Sequence, residues 1–260
     1  MSNAWSSGDS RMPLRGRCRA AKRWFTAYTA TALQRAIAQL ADIERAAEIP
    51  RILALCAART ATELNVTNLA GEPSLSRRIV DAYVALLQTL FLVQLIPGWA
   101  TNISAKTVHR PKVYLVDPGL ATHLLGLSAA RLTPPHVALG PLLESLVVSE
   151  ITRQVGLGRK SNPMLCHFRD RSGAEVDLVL EHPDGRIVGI EVKAGSTVGP
   201  GDFNGLAFLR QRLGPKFHGG FVLYTGTDAL PFGPQMSALP VSARAPTRGG
   251  RGDDRTRTGE

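Results

Sequence analysis

Asp177, Glu191 and Lys193 are the residues of this 260-residue chain whose types and spacing suit chemistry on a phosphodiester. They lie in Glu175-Val176-Asp177-Leu178-Val179-Leu180-Glu181 and Ile187-Val188-Gly189-Ile190-Glu191-Val192-Lys193, separated by His182-Pro183-Asp184-Gly185-Arg186. The alternation of apolar and polar residues predicts two strands, and Pro-Asp-Gly predicts a three-residue hairpin turn with glycine in the left-handed region. Pairing about Asp184 sets Val176 opposite Val192, Leu178 opposite Ile190 and Leu180 opposite Val188. That face is wholly apolar, and a one-residue slip would turn all of it outward. On the other face Glu175 then meets Lys193, Asp177 meets Glu191, and Val179 meets Gly189. Carboxylates opposed with Cβ atoms ~4.5–5.5 Å apart repel each other, so they call for a cation or a shared proton. Mg²⁺, which favours a few carboxylates plus water and phosphate oxygens, fits that demand. Lys193 shares the face with Glu191, because strand side chains repeat every second residue, and there it could stabilise a phosphate or steer an attacking water. The plainer alternative is a solvated edge hairpin whose charges water and lysine screen.

The elements around the hairpin predict an α/β unit. A helix is expected over Leu139–Val155, strands at Met164–Arg169, Ala174–His182 and Arg186–Ala194, a helix at Phe203–Leu213 and a strand at Phe217–Tyr224. Upstream, a helical stripe runs from Phe25 to about Arg45 through Phe25, Tyr28, Leu33, Ile37, Leu40 and Ile43. Further helices are expected at Arg51–Ala58 and Ala61–Ala70. A longer one, capped by Ser74 or Ser76, runs to Leu90 with Leu75, Ile79, Ala82, Tyr83, Leu86 and Leu87 inward. Strands at Phe91–Ile96 and Lys112–Val116 follow, and Asp117-Pro118 opens a short helix that Gly126 closes.

Three helices and a two-stranded ribbon give the order of a winged helix-turn-helix. Arg77 and Arg78 fall in the first turn of its recognition helix, where groove contacts are usual, and Lys106, His109, Arg110 and Lys112 populate its wing. DNA is therefore the expected partner, with Arg77, Arg78, Lys106 and Arg110 as contacts. The bland counterpart is a protein-interaction or spacer domain with an ordinary solvated basic face.

Composition sets limits on the rest. The net charge of +10 is concentrated in residues 1–24 and 241–260, which read as disordered tails rich in Arg, Gly and Ser, so the overall basicity says little about the folded part. The three scattered cysteines form no Cys-x-x-Cys pair, which argues against a disulfide framework or a zinc site and suits a reducing cytoplasm. No apolar run approaches the ~20 residues of a membrane span, and no secretory leader is visible near Met1. The six histidines are dispersed, and Arg251-Gly252-Asp253 falls in a tail where the tripeptide reads as accidental.

The Asp177…Glu191-Val192-Lys193 arrangement resembles the PD-(D/E)XK nuclease superfamily, with Val176 where that motif has proline. The resemblance implies a further carboxylate on a preceding helix. Glu144, beside Val147, Val148 and Ile151 on an apolar flank, matches it, with Glu150 in reserve. Several segments are similar to the C-terminal half of bacterial AAA-type ATP-binding proteins, catalogued as domain-of-unknown-function family 4143. They are Leu40-Ala41-Asp42-Ile43, Leu90-Phe91-Leu92-Val93, Lys112 through Leu120, Gly140 to Glu144, Glu175-Val176-Asp177 and Ile190-Glu191-Val192-Lys193. That likeness implies an ATPase upstream. No Gly-x(4)-Gly-Lys-Ser/Thr loop occurs here, so no ATP site is expected, and the chain reads as a truncated or frameshifted member.

The expected fold class is thus α+β: a basic tail (1–24), a helical junction (25–48), a winged helix (49–128), a nuclease-like α/β domain (129–240) and a second tail (241–260). The expected function is DNA interaction with Mg²⁺-dependent phosphodiester cleavage at Glu144, Asp177, Glu191 and Lys193, the metal held by Asp177 and Glu191. The alternative is a non-catalytic DNA- or protein-binding module that works with an ATPase-bearing partner or as a homo-oligomer.

Overall fold

The computed structural model describes residues 14–39, 46–65, 76–100, 110–128, 132, 137–158 and 162–242, which form a mixed α+β architecture with two sheets. Helix α1 (Leu14–Gln39) begins earlier than the apolar stripe predicts. Arg17-Cys18-Arg19-Ala20-Ala21-Lys22-Arg23 is rich in strong helix formers, so propensity carries the helix into what composition assigns to a disordered tail. Its packing is narrow: Leu33 is buried and Phe25 rests on the first core, whereas Tyr28 is exposed.

Helix α2 (Ile49–Ala58) takes Pro50 in its first turn and buries Ile49, Ile52, Leu53, Cys56 and Ala57. Helix α3 (Arg77–Thr89) is capped by Ser76, whose hydroxyl accepts the Ile79 N–H at 3.3 Å. Its buried stripe is Val80, Tyr83, Val84 and Leu87, rotated from expectation so that Ala82 faces solvent. The helix expected from Ala61 does not start there. Ala61 adopts φ +64, its N–H reaches the Val113 carbonyl at 2.8 Å, and Thr62–Glu63 becomes strand β1. An open edge offered by a distant strand outcompetes the local helix; residues 66–70 lie outside the described part.

Strands β2 (Val93–Ile96) and β3 (Lys112–Leu115) pair antiparallel, completing a sheet of order β1-β3-β2. Helix α4 (Pro118–Leu124) follows its sequence signals. The Asp117 carboxylate accepts the Gly119 and Leu120 N–H groups at 2.6 and 3.2 Å, Pro118 opens the first turn, and Gly126 closes with φ +63. A cap of this kind contributes about 1 kcal/mol.

Helix α5 (Leu139–Leu157) precedes the larger sheet, built from β4 (Met164–Arg169), β5 (Glu175–Glu181), β6 (Ile187–Lys193), β7 (Phe217–Tyr224), β8 (Leu230–Pro231) and β9 (Met236–Pro240). Its order is β4-β5-β6-β7-β9-β8. The β4-β5-β6 side is antiparallel, and β6, β7 and β9 run parallel. Helix α6 (Asn204–Leu213) makes the crossover from β6 to β7, as a parallel pair requires. Strands β8 and β9 escape sequence reading because β8 is two exposed residues and β9 buries only Met236, Ala238 and Pro240.

Helix α6 covers one face, packing Leu206 and Leu209 on Val176, Val179 and Val222. Helix α5 covers the other, where Val148 meets Leu178, Ile190 and Tyr114 of β3. The same α5 sends Leu142 into the core of the first sheet, so one helix is shared by both. The chain after β2 also joins β4 directly, with Trp99 N–H to the His167 carbonyl at 2.6 Å and His167 N–H to the Pro97 carbonyl at 2.9 Å. Among the described residues no helix is long and apolar enough to cross a membrane.

Candidate functional site

The hairpin forms in the register set by its turn. Leu178 pairs with Ile190, Val179 with Gly189 and Leu180 with Val188, and Gly185 takes φ +84. The ladder then stops at Leu178–Ile190, short of the expected Asp177–Glu191, Val176–Val192 and Glu175–Lys193 pairs. The reason lies on the other side of β5. Cys166 pairs with Val179 but Phe168 with Val176, so Asp177 and Leu178 together oppose the single residue His167. Such a bulge bends the strand and re-aims a side chain. Val176 consequently packs with Val179 on the α6 face instead of joining Leu178, and Asp177 is freed from the ladder. One Asp177 oxygen accepts the Val192 N–H at 2.9 Å, so a carboxylate replaces the backbone partner that β6 loses.

The second Asp177 oxygen faces Lys112. This lysine is buried, and its ammonium lies 3.0 Å from Glu144 Oε1, 2.9 Å from Glu175 Oε1 and 3.0 Å from Asp177 Oδ1. Lys112 and Tyr114 are two apart in β3 and share the face turned toward α5, and the Tyr114 hydroxyl donates to the same Glu144 oxygen at 2.6 Å. Glu144, which the resemblance implies, and Asp177, expected from the hairpin spacing, are therefore brought together, but by a cation from the first sheet that sequence reading assigns to a DNA-facing wing. Lys112 is no wing contact. The signal for it was present, a lysine inside the otherwise apolar run Lys112-Val113-Tyr114-Leu115, although its partners lie 32 to 65 residues away.

The electrostatics follow from burying several acids around one ammonium. Burial pulls the Lys112 amine down, but Asp177, Glu144 and Glu175 outweigh this and hold it above its usual range, fully charged. Glu175 is pushed up by burial and more than returned by Lys112, ending below the ordinary carboxylate range. Burial and then the Asp177 charge push Glu144 up to about 7. For Glu191 the same two causes, burial first, raise it to about 9, and its Oε2 is buried with no hydrogen-bond partner among the described residues. Glu191 thus holds a proton at neutral pH.

A hard divalent cation takes several carboxylate oxygens at once, whereas here Asp177 and Glu144 already share the Lys112 ammonium. Among the described residues no group of three or more His, Cys, Asp or Glu is placed so that it could hold a metal ion. Lys112 stands between the acids.

The remaining candidates sit elsewhere. Lys193 turns to Asp202 at 2.9 Å and is partly exposed at the rim. Glu150 is exposed and bonds Arg153 and Gln154, away from the acids. Arg77 and Arg78 are exposed in the first turn of α3, with Arg77 3.7 Å from Asp81. Arg110 is exposed and its carbonyl meets His167 Nε2 at 2.9 Å. Lys106 and His109 lie outside the described residues.

Residues 14–131 match the family described as Domain of unknown function (DUF8612), and residues 139–243 match Domain of unknown function (DUF4143). "Uncharacterized protein Rv2008c" of Mycobacterium tuberculosis and "Uncharacterized protein Mb2031c" of Mycobacterium bovis are each 28% identical over 174 residues. The match covers 67% of this chain and 38% of each relative, so the chain spans well under half of their length. No solved structure matches.

Proposed function

We propose that this chain is a DNA-interacting protein whose second sheet carries a PD-(D/E)XK-like, Mg²⁺-dependent phosphodiester-cleaving site. The observation that carries the reading is the splayed hairpin end, where a bulge frees Asp177 to face Glu144 while Glu191 is left with an unpartnered buried oxygen. Asp177, Glu191 and Glu144 would hold the cation. When bound, that ion would polarise a phosphate oxygen and lower the pKa of an attacking water. The chain supplies the rest. The Val192 N–H fixes the orientation of Asp177, and Lys193 at the rim adds positive charge beside a bound phosphate. Glu191, protonated when no ion is present, would give up its proton to the solvent on ligation.

The DNA reading is supported by the order β1-β3-β2 with α3 between β1 and β2, as in a winged helix-turn-helix, and by Arg77 and Arg78 exposed at the start of α3. Cleavage of supercoiled plasmid and of single-stranded DNA with Mg²⁺ or Mn²⁺ is the test. We expect nicking by the wild type and at least about a hundredfold less by Asp177→Ala. Equal nicking by both, or by neither, removes the enzymatic claim. One observation favours a non-catalytic binding or regulatory module: Lys112 already satisfies three of the acids. Under that reading DNA or partner binding survives Asp177→Ala unchanged.

A further inference from the structure

We propose that the outward face of α1 is a stacking platform for single-stranded nucleic acid. This surface lies apart from the acid cluster and from the first turn of α3, and the inference rests on neither.

Over its 26 residues α1 carries six Arg or Lys and no Asp or Glu. Because the helix runs from Leu14, that charge is held along a rigid element and not dispersed in a coil. The side turned to the first core is narrow. Phe25 stacks on His123 with ring centroids 5.8 Å apart, Thr26 Oγ1 meets His123 Nε2 at 3.3 Å, and Leu33 is buried. On the outward side Trp24 is 57% exposed and Tyr28 38%. One helical turn separates them, and their rings stack with centroids 5.0 Å apart and planes within 4° of parallel. Phe25 meets Trp24 edge-on, with centroids again 5.0 Å apart, and ties the pair to the core. Lys22 and Arg23 are exposed in the same turn. By helical spacing, positions 17 and 35, both Arg, fall on the stripe that holds Trp24 and Tyr28.

Two rings already parallel present a geometry that a third flat ring extends. A nucleobase is such a ring, and its phosphate brings the negative charge that an acid-free helix attracts. Bases inside a duplex are stacked on each other and out of reach, so the strand that fits is single. A lipid surface fits less well. A membrane-bound helix lays large apolar residues into the acyl boundary. In α1 Phe25 and Leu33 are engaged by the protein core, and the exposed neighbours of the aromatic pair are Ala27, Ala30 and Thr31.

The probe is a fluorescein-labelled oligothymidylate, read by fluorescence anisotropy on the full chain with EDTA present so that no cleavage intervenes. Trp24→Ala/Tyr28→Ala is expected to weaken binding at least about tenfold while leaving the slope of log affinity against log salt unchanged. Trp24→Phe keeps a ring and is expected to retain most of the affinity. Lys22→Gln/Arg23→Gln is expected to reduce the salt slope by roughly 1.4, about 0.7 for each phosphate contact. All four side chains are exposed, so the thermal midpoints should stay close to wild type, which separates loss of binding from loss of fold. If the oligonucleotide binds wild type and Trp24→Ala/Tyr28→Ala equally, or binds neither, the inference is wrong. Nicking that depends on Asp177 is untouched by either result, so the two readings fail separately. Wild type that ignores the oligonucleotide but binds phosphatidylserine vesicles would overturn the inference in favour of a lipid surface. A dimer that the aromatic double variant dissociates, with no oligonucleotide bound, would overturn it in favour of a second copy of the chain.

Discussion

A carboxyl that keeps its proton at neutral pH makes the stability of its protein sensitive to base. Glu191 is raised from an ordinary value of 4.5 to about 9 by burial and by Asp177. Below the ordinary value both folded and unfolded chains hold the proton, and the full contribution to stability is present. As pH climbs, the unfolded chain releases the proton first, so the folded state is progressively disfavoured until Glu191 itself ionises near the upper value. Glu144, raised to about 7, adds to the lower part of the same window. We therefore expect the urea midpoint to fall between pH ~5 and pH ~9, and Glu191→Gln to flatten that slope. An equally steep slope in the variant would contradict the assignment. At this scale the sequence was readable in part. Strand alternation and the turn single out Asp177 and Glu191, whereas Glu144 is picked out by the resemblance to the nuclease motif, with the apolar helical flank as support. Lys112 was misassigned because a lysine near a polar, Gly- and Asn-containing stretch looks solvent-facing until its partners, up to 65 residues away, are known.

Elements bring those residues together through close approach. Gly205, in the first turn of α6, lies so near β5 that a Cβ there would overlap the Glu175 carbonyl oxygen, a backbone atom that cannot step aside. Gly205→Ala should therefore destabilise the protein by roughly 1–3 kcal/mol, read from chemical denaturation. Because Glu175 also holds Lys112, the same variant should loosen the acid cluster. An unchanged midpoint would show that α6 can shift away from β5 at no cost. Most elements were legible from periodicity and caps, including the hairpin register and the Asp117-Pro118…Gly126 helix. The bulge at Asp177–Leu178 was not, since no glycine or proline marks it and the residue opposite it, His167, bonds Pro97 and Trp99 from a distant part of the chain. Strand β1 was hidden for a similar reason, as its two residues owe their conformation to the edge of β3.

For the whole molecule, positive charge is unevenly placed, and the terminal segments hold most of the excess. If α3 meets DNA, reversing Arg77→Glu and Arg78→Glu should weaken binding and flatten the slope of log affinity against log salt by roughly 2, one phosphate contact per arginine. Affinity that ignores both the reversal and the salt would point to a protein partner instead. The expected division into a winged helix and a separate α/β domain describes the order of elements, but the packing runs across it. Helix α5 serves both sheets, and the chain after β2 bonds to β4. Hydrophobic periodicity reports that a face is buried, not which sheet buries it, so this sharing was out of reach of the sequence.

Because the ammonium that neutralises the acids arrives on a strand of the other sheet, the two halves of the chain are not interchangeable parts. A chimera that grafted everything from Leu139 onward behind a foreign N-terminal half would inherit Glu144, Glu175 and Asp177 without their counter-charge. Recombination could succeed only where the newcomer presents a cationic side chain at the same spot.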